Sequence, residues 1–328
     1  MADLSTSYMG LKLRNPLVVA SCSLSKNLDG IRRLADAGAG AIVLKSLFEE
    51  QIQKEIVEDL EQGVGPNWHY EAYDYVSRMG MELGPQDYLK LIEKAKKLVP
   101  IPIIASLNCV SSHWWRDYAK QLELAGADAL ELNVAFIAGD AARGAAEIEK
   151  TYYSVLEKVK QSVKTPVAMK IGPFFTSLAQ VSSELTRRGA SALVFFNRFY
   201  QFDVDIDKQK VVAGNTMSSP GEMHLSLRWI AQLAGRINCD LAASTGVHDH
   251  TAVLKQIMVG AKVVQLCSVL YEKGSAQLTK ILDGVDKWLI KRGHGAIGDI
   301  RGAMSQKASE NPELFERLQY IRALVGIE

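Results

Sequence analysis

Polar residues follow short apolar runs at several places in this chain, and their types are typical of a ligand-binding site. The run AIVL is followed by Lys45 and Ser46, and the run VAM is followed by Lys170. An ammonium group at the end of a buried strand either reaches out to water or meets an anionic or electron-rich group. Equivalent places elsewhere in the chain hold Ser21, Asn108, Asn133, Asn197, Ser244, Thr245 and Ser268.

Together these side chains match the chemistry of a heterocycle that carries a phosphate. Carboxamides donate and accept hydrogen bonds, as a ring with alternating C=O and N–H groups requires. The segments AASTGVHD and QLCSVLYEKG place small residues before a helix start, where backbone N–H groups can bind phosphate. A lysine near the pyrimidine ring of flavin mononucleotide (FMN) would stabilise the negative charge that develops on reduction. We therefore predict FMN as the cofactor.

A repeated pattern indicates how these residues are positioned. A helical stretch, then Gly-Ala, then an apolar run occurs in RRLADAGAGAIVLK, AKQLELAGADALELN, SSELTRRGASALVFFN and LKQIMVGAKVVQLCS. Each copy predicts a helix-to-strand joint, because glycine accepts the left-handed conformation and alanine allows close packing. With four further apolar runs, the predicted strands end near Ser21, Lys45, Asn108, Asn133, Lys170, Asn197, Thr245 and Ser268.

Eight alternating strand and helix units predict an α/β fold, a (β/α)₈ TIM barrel formed by a single domain over residues 1–328. In such a barrel the polar residues meet at one mouth. A doubly wound open sheet is the alternative, but no G-x-G-x-x-G follows the first strand.

Two connections are longer than ordinary loops: residues 47–85 after the second strand and residues 198–219 after the sixth. The second contains RFYQFDVDIDKQKVV, whose partial alternation predicts a small hairpin. Both leave from the carboxyl ends of strands, where barrel enzymes build their sites, so each fits a lid or a subunit contact.

Composition argues against several classes of protein. The net charge is +1 over 328 residues, so we expect no nucleic-acid or membrane partner and a small-molecule substrate. The chain has neither a cationic start before an apolar stretch nor a run of about 18 apolar residues. Four cysteines without a CxxC pair are typical of a reducing compartment, so we predict a cytoplasmic protein without a metal site.

Seven segments spread over nearly the whole chain share a family pattern: MGLKLRNPLVVASCS, AGAIVLKSLFEEQI, ALELNVAF, PVAMKIGPFF, LVFFNRFYQ, LAASTGVHD and RGAMSQK. In them the chain resembles the class 1 dihydroorotate dehydrogenases, and more closely the group called dihydroorotate dehydrogenase-like proteins. The resemblance implies an FMN-containing (β/α)₈ barrel, usually a homodimer. It also implies oxidation of the CH–CH bond of dihydroorotate or a related dihydropyrimidine, in pyrimidine metabolism.

Residue roles follow from the resemblance position by position. It implies that Lys170 lies at the N1 and O2 edge of the flavin. The other implied contacts with the flavin ring system are Ala20, Ser21, Lys45, Ser46, Asn108 and Asn133. The implied phosphate contacts are Thr245, Gly246, Cys267 and Ser268, in turns less rich in glycine than those of the family. The implied substrate contacts are Lys45, Asn133, Asn197 and Arg198.

The chain departs from the family pattern at the catalytic position. Class 1 enzymes carry S-C-P-N after the fourth strand, and the cysteine removes the C5 proton of dihydroorotate. This chain reads ELNVAFIAGD, with Phe136 in place of the cysteine and Ala138 in place of a substrate-binding asparagine. Phenylalanine cannot accept a proton, so we assign no catalytic residue. Arg198 likewise replaces a serine, and SRMGMELGP keeps only part of the N-S-M-G-L-P-N loop.

Several alternatives remain open. His248 could replace the missing base, although it also fits a helix start beside a capping Asp249. Cys22, Cys109 or Cys267 could do so as well, although buried cysteine is usually inert. A Schiff-base lyase or aldolase would use Lys170 or Lys45 as its nucleophile. A non-catalytic flavin-binding protein would explain Phe136.

Overall fold

The computed structural model describes residues 1–48, 86–108, 112–199 and 201–316, together with residues 321, 325 and 326. The chain begins with an antiparallel hairpin of β1 (Thr6–Tyr8) and β2 (Leu11–Leu13). The strands of the main sheet are β3 (Leu17–Val19), β4 (Ala41–Val43), β5 (Leu47–Phe48), β6 (Ile103–Asn108), β7 (Ala129–Asn133), β8 (Val167–Ile171), β9 (Ala192–Phe195), β12 (Asp240–Ser244) and β13 (Val263–Leu266). A second hairpin consists of β10 (Phe202–Asp205) and β11 (Lys210–Ala213).

Helices alternate with these strands. They are α1 (Leu28–Asp36), α2 (Gln86–Leu98), α3 (Ser112–Leu124), α4 (Ala145–Ser162), α5 (Leu178–Arg187), α6 (Met223–Leu233), α7 (His250–Val259), α8 (Ser268–Lys273) and α9 (Gln277–Lys291). Within the described ranges, no helix is long and apolar enough to cross a bilayer.

The parallel strands close into a barrel. Their order is β4-β3-β13-β12-β9-β8-β7-β6, and β4 pairs with β6 through Ile42↔Ile103 and Val43↔Ile104. The short strand β5 extends this sheet by pairing with the end of β6. The predicted (β/α)₈ barrel is therefore confirmed. The predicted hairpin in the excursion after the sixth barrel strand is confirmed too, whereas most of the excursion after the second, residues 49–85, lies outside the described residues.

Small side chains line the amino-terminal end of the barrel and leave room for side chains of the first hairpin region. A buried cluster combines inward positions of all eight barrel strands with Tyr8, Met9 and Leu13 of the first hairpin region. Five of those inward positions are alanines, namely Ala41, Ala129, Ala168, Ala192 and Ala242. Because side chains alternate along a strand, the next inward positions, two residues further on, lie nearer the mouth. These positions include Ser106, Glu131, Lys170, Ser244 and Gln265, all buried, so the barrel becomes polar toward its carboxyl end.

The regular strands end earlier than the sequence pattern predicts in several places. β6 and β7 end at Asn108 and Asn133 as predicted, but β3 ends at Val19 and β4 at Val43. Ser21 and Lys45 therefore lie on the loops that leave the barrel mouth rather than on the strands themselves.

One surface carboxylate fixes the joint between α3 and β8. Glu123 Oε1 accepts hydrogen bonds from the backbone N–H of Lys164 (2.6 Å) and Thr165 (2.8 Å) and from the Thr165 hydroxyl (2.8 Å). Burial alone would raise the pKa of Glu123, but these bonds and one from Lys120 lower it to about 2 from its usual 4.5. The ionised carboxylate therefore stabilises the folded chain.

We expect Glu123→Gln to lower the free energy of unfolding by about 1.5–3 kcal/mol at pH 7, as for hydrogen bonds to a charged group. Because the folded-state pKa is depressed, this stabilisation is present above pH 4.5 and disappears as the pH falls toward 2. Urea unfolding of both proteins between pH 7 and pH 3 measures the difference. Glu147→Gln, which removes an exposed partner of Arg143, is the control and should change little. A pH-independent difference for Glu123→Gln would contradict this account.

Candidate functional site

A chain of hydroxyl groups joins three neighbouring strands at the barrel mouth. Ser46 Oγ lies 2.9 Å from Ser21 Oγ and 2.7 Å from Ser106 Oγ, and the Ser46 N–H donates to Ser21 Oγ at 2.8 Å. Beside them, the Ala20 N–H donates to the Leu266 carbonyl. The structure thus brings the predicted residues Ala20, Ser21 and Ser46 to one part of the mouth.

Lys170 lies inside the barrel and is only 7% exposed. Its Nζ donates to Gln265 Oε1 at 3.0 Å and lies 3.8 Å from Glu131 Oε1. Gln265 Nε2 in turn donates to Glu131 Oε2 at 2.5 Å. Sequence reasoning missed Glu131 and Gln265, although each stands two residues before a predicted site residue, Asn133 or Cys267, and therefore points to the same side of its strand.

Two predicted carboxamides form a pair above β7 and β9. Asn197 Nδ2 donates to Asn133 Oδ1 at 2.7 Å, and both side chains are half-buried. The backbone N–H of Asn197 is held by the Ile171 carbonyl, which continues the ladder between β8 and β9. The pair leaves the Asn133 N–H groups and the Asn197 oxygen able to bind a polar heterocycle.

The predicted phosphate turns meet at a serine that sequence reasoning did not select. The Ser218 N–H donates to Ser268 Oγ at 2.9 Å, and the Gly246 N–H donates to Ser218 Oγ at 3.3 Å. Thr245 and Gly246 both have φ of +75°. A β-branched residue in this region is strained, and such strain concentrates at functional sites. The sequence feature that could have pointed to Ser218 is the segment SSPGE, in which small residues precede a proline that starts a helix.

Cys22 and Cys267 are neighbouring half-buried thiols at the ends of β3 and β13. A hydrogen bond from Cys267 lowers the pKa of Cys22 to about 7, against the effect of burial. The same hydrogen bond, together with burial, raises the pKa of Cys267. Cys22 therefore ionises more readily than Cys267, whereas Cys109 lies outside the described residues.

In the described part of the chain, the predicted site residues border separate clefts rather than a single one. Lys45 and Ser46 line a cleft of about 700 Å³ with Lys26, Tyr88 and Lys90. A second cleft of about 390 Å³ is lined by Asn197, Arg198, Thr245, Phe174, Phe196 and Phe199. Neither cleft includes Lys170 or Asn133, which lie deeper in the barrel end. Asn108 ends β6 in register with Phe48 of β5.

The Arg198 guanidinium is bound by the segment before α6. Its Nε donates to Glu222 Oε2 at 2.8 Å, and its Nη atoms donate to the carbonyls of Asn215 and Thr216. Burial alone would raise the pKa of Glu222, but the bonds from Arg198 and the Ser219 N–H lower it. Arg198 therefore anchors this segment, and its contact with substrate stays a prediction.

Phe136 packs against a helix. Its ring meets the Tyr152 ring edge-on at 5.4 Å, and Tyr152 meets Phe175 at 5.1 Å. The ring therefore packs the loop after β7 against α4 and offers no group that could accept a proton.

His248 is buried near the phosphate turns. Its Nε2 lies 3.2 Å from Ser218 Oγ and its Nδ1 3.5 Å from Glu272 Oε2. The neighbouring Asp249 caps α7 by accepting from the Ala252 N–H, as predicted. The His250 ring lies against Gly284 of α9. The described part of the chain contains no group of three or more side chains able to hold a metal.

Comparison with known proteins identifies the family. The sequence profile described as Dihydroorotate dehydrogenase matches residues 3–289 of the chain. The chain belongs to this family. A protein named putative dihydroorotate dehydrogenase A (fumarate) from Aeropyrum pernix is 27% identical over 92% of this chain and 97% of its own length. A protein named dihydroorotate dehydrogenase B (NAD(+)), catalytic subunit, from Thermoplasma volcanium is 24% identical over 84% of this chain and 89% of its own length.

The residues present in this dihydroorotate dehydrogenase family member fit the FMN that the family implies. Lys170 provides a buried ammonium, and the Asn133–Asn197 pair provides donors and acceptors for a pyrimidine ring. Ser218, Gly246 and Ser268 converge from three segments, as a phosphate site requires. A Cβ at Gly246 would lie 2.3 Å from the Met223 backbone nitrogen, so this turn can approach its neighbours only as glycine.

Proposed function

We propose that the protein is an FMN-dependent oxidoreductase, a single-domain enzyme over residues 1–328 that oxidises the CH–CH bond of dihydroorotate or a related dihydropyrimidine. The observation that carries the proposal is the buried Lys170 ammonium on β8, in register with Asn133 of the Asn133–Asn197 pair. A charge held away from water acts strongly on electron density that develops beside it. Family membership supports the same conclusion. The proposal includes a homodimer, supported by the resemblance alone, and a cytoplasmic location, supported by the cysteine pattern.

One set of polar groups would bind the ring system of the cofactor, and another set would bind its phosphate. FMN supplies hydride acceptance when it is bound. Lys170 would bind the N1 and O2 edge of the ring system, with Ala20, Ser21, Lys45, Ser46, Asn108 and Asn133 around it. Ser218, Thr245, Gly246, Cys267 and Ser268 would hold the phosphate. Apolar walls below this layer exclude water from the ammonium.

The substrate would lie against the paired carboxamides. Asn197 and Asn133 present donors and acceptors that match the alternating C=O and N–H groups of a dihydropyrimidine. Lys45, half-buried at the mouth, would bind a carboxylate or carbonyl of the substrate. Arg198 would contribute through the loop that it anchors to Glu222.

Removal of the C5 proton from dihydroorotate is the step for which position 136 offers no group. A positioned general base contributes typically 10²- to 10⁴-fold. We expect the purified protein to be yellow, and dihydroorotate to reduce its flavin about 10²- to 10⁴-fold more slowly than it reduces that of a family member with the cysteine. Anaerobic stopped-flow absorption with a panel of dihydropyrimidines measures this rate.

Phe136→Cys tests the position directly. Because the Phe136 side chain packs on Tyr152, we expect the new thiol to lie on the α4 side and the dihydroorotate rate to stay within about three-fold of the wild-type rate. A colourless protein that refuses added FMN would overturn the proposed function. Fast reduction by dihydroorotate in the wild-type protein would overturn the account of position 136.

The Schiff-base alternative requires a neutral amine. Lys170 is hydrogen-bonded to Gln265 and lies 3.8 Å from a Glu131 carboxylate oxygen, so attack on a carbonyl would first have to break these contacts. Trapping of a lysine adduct by borohydride would support the lyase instead. A flavin that stays oxidised with every dihydropyrimidine of the panel would support a non-catalytic protein.

A further inference from the structure

The buried carboxylate of Glu131 is not explained by substrate or cofactor binding. Glu131 is 1% exposed, and its Oε1 accepts no hydrogen bond from the described residues. Burying a carboxylate is costly unless it is paired. Its ion-pair partner is Lys170, at 3.8 Å between Oε1 and Nζ.

Gln265 connects the two charges in a fixed direction. An ammonium only donates and a carboxylate only accepts hydrogen bonds. The Gln265 side chain accepts from Lys170 through Oε1 and donates to Glu131 through Nε2, so its amide has one orientation compatible with both ions. Reversing the amide would place two donors together and two acceptors together. The position of the Lys170 ammonium is therefore determined from three strands, β7, β8 and β13.

Charge balance in this layer depends on Glu131. With both groups ionised, the pair is neutral, and the field of the ammonium at the mouth is reduced by a carboxylate less than 4 Å away. Loss of Glu131 alone would leave an uncompensated positive charge in a region shielded from water, where charges act over longer distances than in bulk solvent.

We propose that Glu131, held by Gln265, is a positioning residue that fixes the Lys170 ammonium and offsets its charge, and thereby limits how strongly the pocket stabilises negative charge on the flavin. The part of this inference that concerns flavin rests on the proposed function. The ion-pair part concerns residues of the chain alone and is tested without cofactor.

The first test is a double-mutant cycle in the flavin-free protein. Lys170→Met leaves a lone buried carboxylate, whereas Glu131→Gln combined with Lys170→Met leaves no charge. We expect the double variant to unfold at a higher urea concentration than Lys170→Met, because breaking a buried pair destabilises more than replacing it. If the stability losses of the two single variants added up to the loss of the double variant, the inference would be overturned, whether or not the protein binds flavin.

The second test measures the field at the flavin. Sulfite binding to an oxidised flavin places negative charge on the pyrimidine end of the ring system, and it is followed by bleaching of the visible absorption. We expect Glu131→Gln to lower the sulfite dissociation constant on the order of ten-fold, since removal of a unit charge within about 10 Å has an effect of that size. An unchanged or weaker sulfite affinity would overturn the proposed charge offset.

Asp128→Asn is the matched control. Asp128 immediately precedes the same strand, β7, but binds Lys96 and the Ile103 N–H at the opposite end of the barrel. We expect it to lower the urea midpoint and leave the sulfite dissociation constant within two-fold of the wild-type value. A wild-type protein that binds no FMN would refute the proposed function, while the cofactor-free cycle would still decide whether Glu131 and Lys170 act as a pair.

Discussion

Lys170→Met is expected to slow flavin reduction by the best dihydropyrimidine substrate by about 10²- to 10³-fold, as when a donor that stabilises a developing negative charge is removed. The buried ammonium is held by Gln265 and Glu131 and has further N–H groups for a ligand. Methionine has a similar length but neither charge nor donor. Anaerobic stopped-flow bleaching of the flavin measures the rate.

Stability must be separated from reactivity in this experiment. Lys170→Met leaves Glu131 unpaired in the barrel, and breaking a buried ion pair typically costs about 3–5 kcal/mol. The rate should therefore also be measured in Lys170→Met combined with Glu131→Gln, where neither charge remains. Lys208→Met is the comparison, because Lys208 lies between β10 and β11, is 74% exposed and has no proposed contact with flavin or substrate. Reduction at the wild-type rate in the double variant would remove Lys170 from the proposed role.

Sequence periodicity was sufficient to predict the barrel and to predict that the polar residues at its strand ends lie near one another. Four joints combined a helical pattern with Gly-Ala and an apolar run, and four further apolar runs completed the eight strands, whose order followed from closure of the barrel. Polar residues at strand ends converge in any such barrel, which is why Ser21 with Ser46 and Asn133 with Asn197 were predicted to be near one another. The details within each loop did not follow from this argument.

What the sequence pattern missed depends on contacts between distant segments. Glu131 and Gln265 lie 134 residues apart in the chain and are recognisable as partners only after the barrel closes. Ser218 belongs to a loop whose path is determined by Arg198 and Glu222, not by local propensity. The first hairpin was missed because each of its strands has three residues, too few for a period-two pattern to be evident.

Contacts in the structure distinguish side chains that are placed to bind a ligand from side chains that pack within the protein. Phe136, predicted from the resemblance to stand in place of a proton acceptor, contacts Tyr152, so this loop is stabilised by aromatic packing. Lys170 and Asn133 keep polar partners in positions where a flavin would need them. Under the proposed function, these polar groups would bind the flavin, and position 136 would offer no group for the proton transfer.

The second large effect concerns Gly246, in the turn that is predicted to bind phosphate. Gly246→Ala should lower the free energy of unfolding by more than about 2 kcal/mol, since an L-residue with positive φ is strained and the new Cβ meets backbone. Gly246 has φ of +75°, and its Cβ would lie 2.3 Å from the Met223 nitrogen at the start of α6. Relief of that clash must move the turn away from Ser218, whose Oγ accepts from the Gly246 N–H.

We expect Gly246→Ala also to lower the affinity for FMN, by on the order of ten-fold or more. Loss of one charge-assisted hydrogen bond to phosphate has an effect of about that size on affinity. Urea unfolding and fluorescence titration of the flavin-free protein with FMN measure the two effects. Gly274→Ala is the matched control: its φ is +76°, but no atom lies within 4 Å of its Cβ position. It therefore carries the conformational strain without the clash and lies away from the turn. Equal losses of FMN affinity in both variants would show that the Gly246 turn does not hold the phosphate.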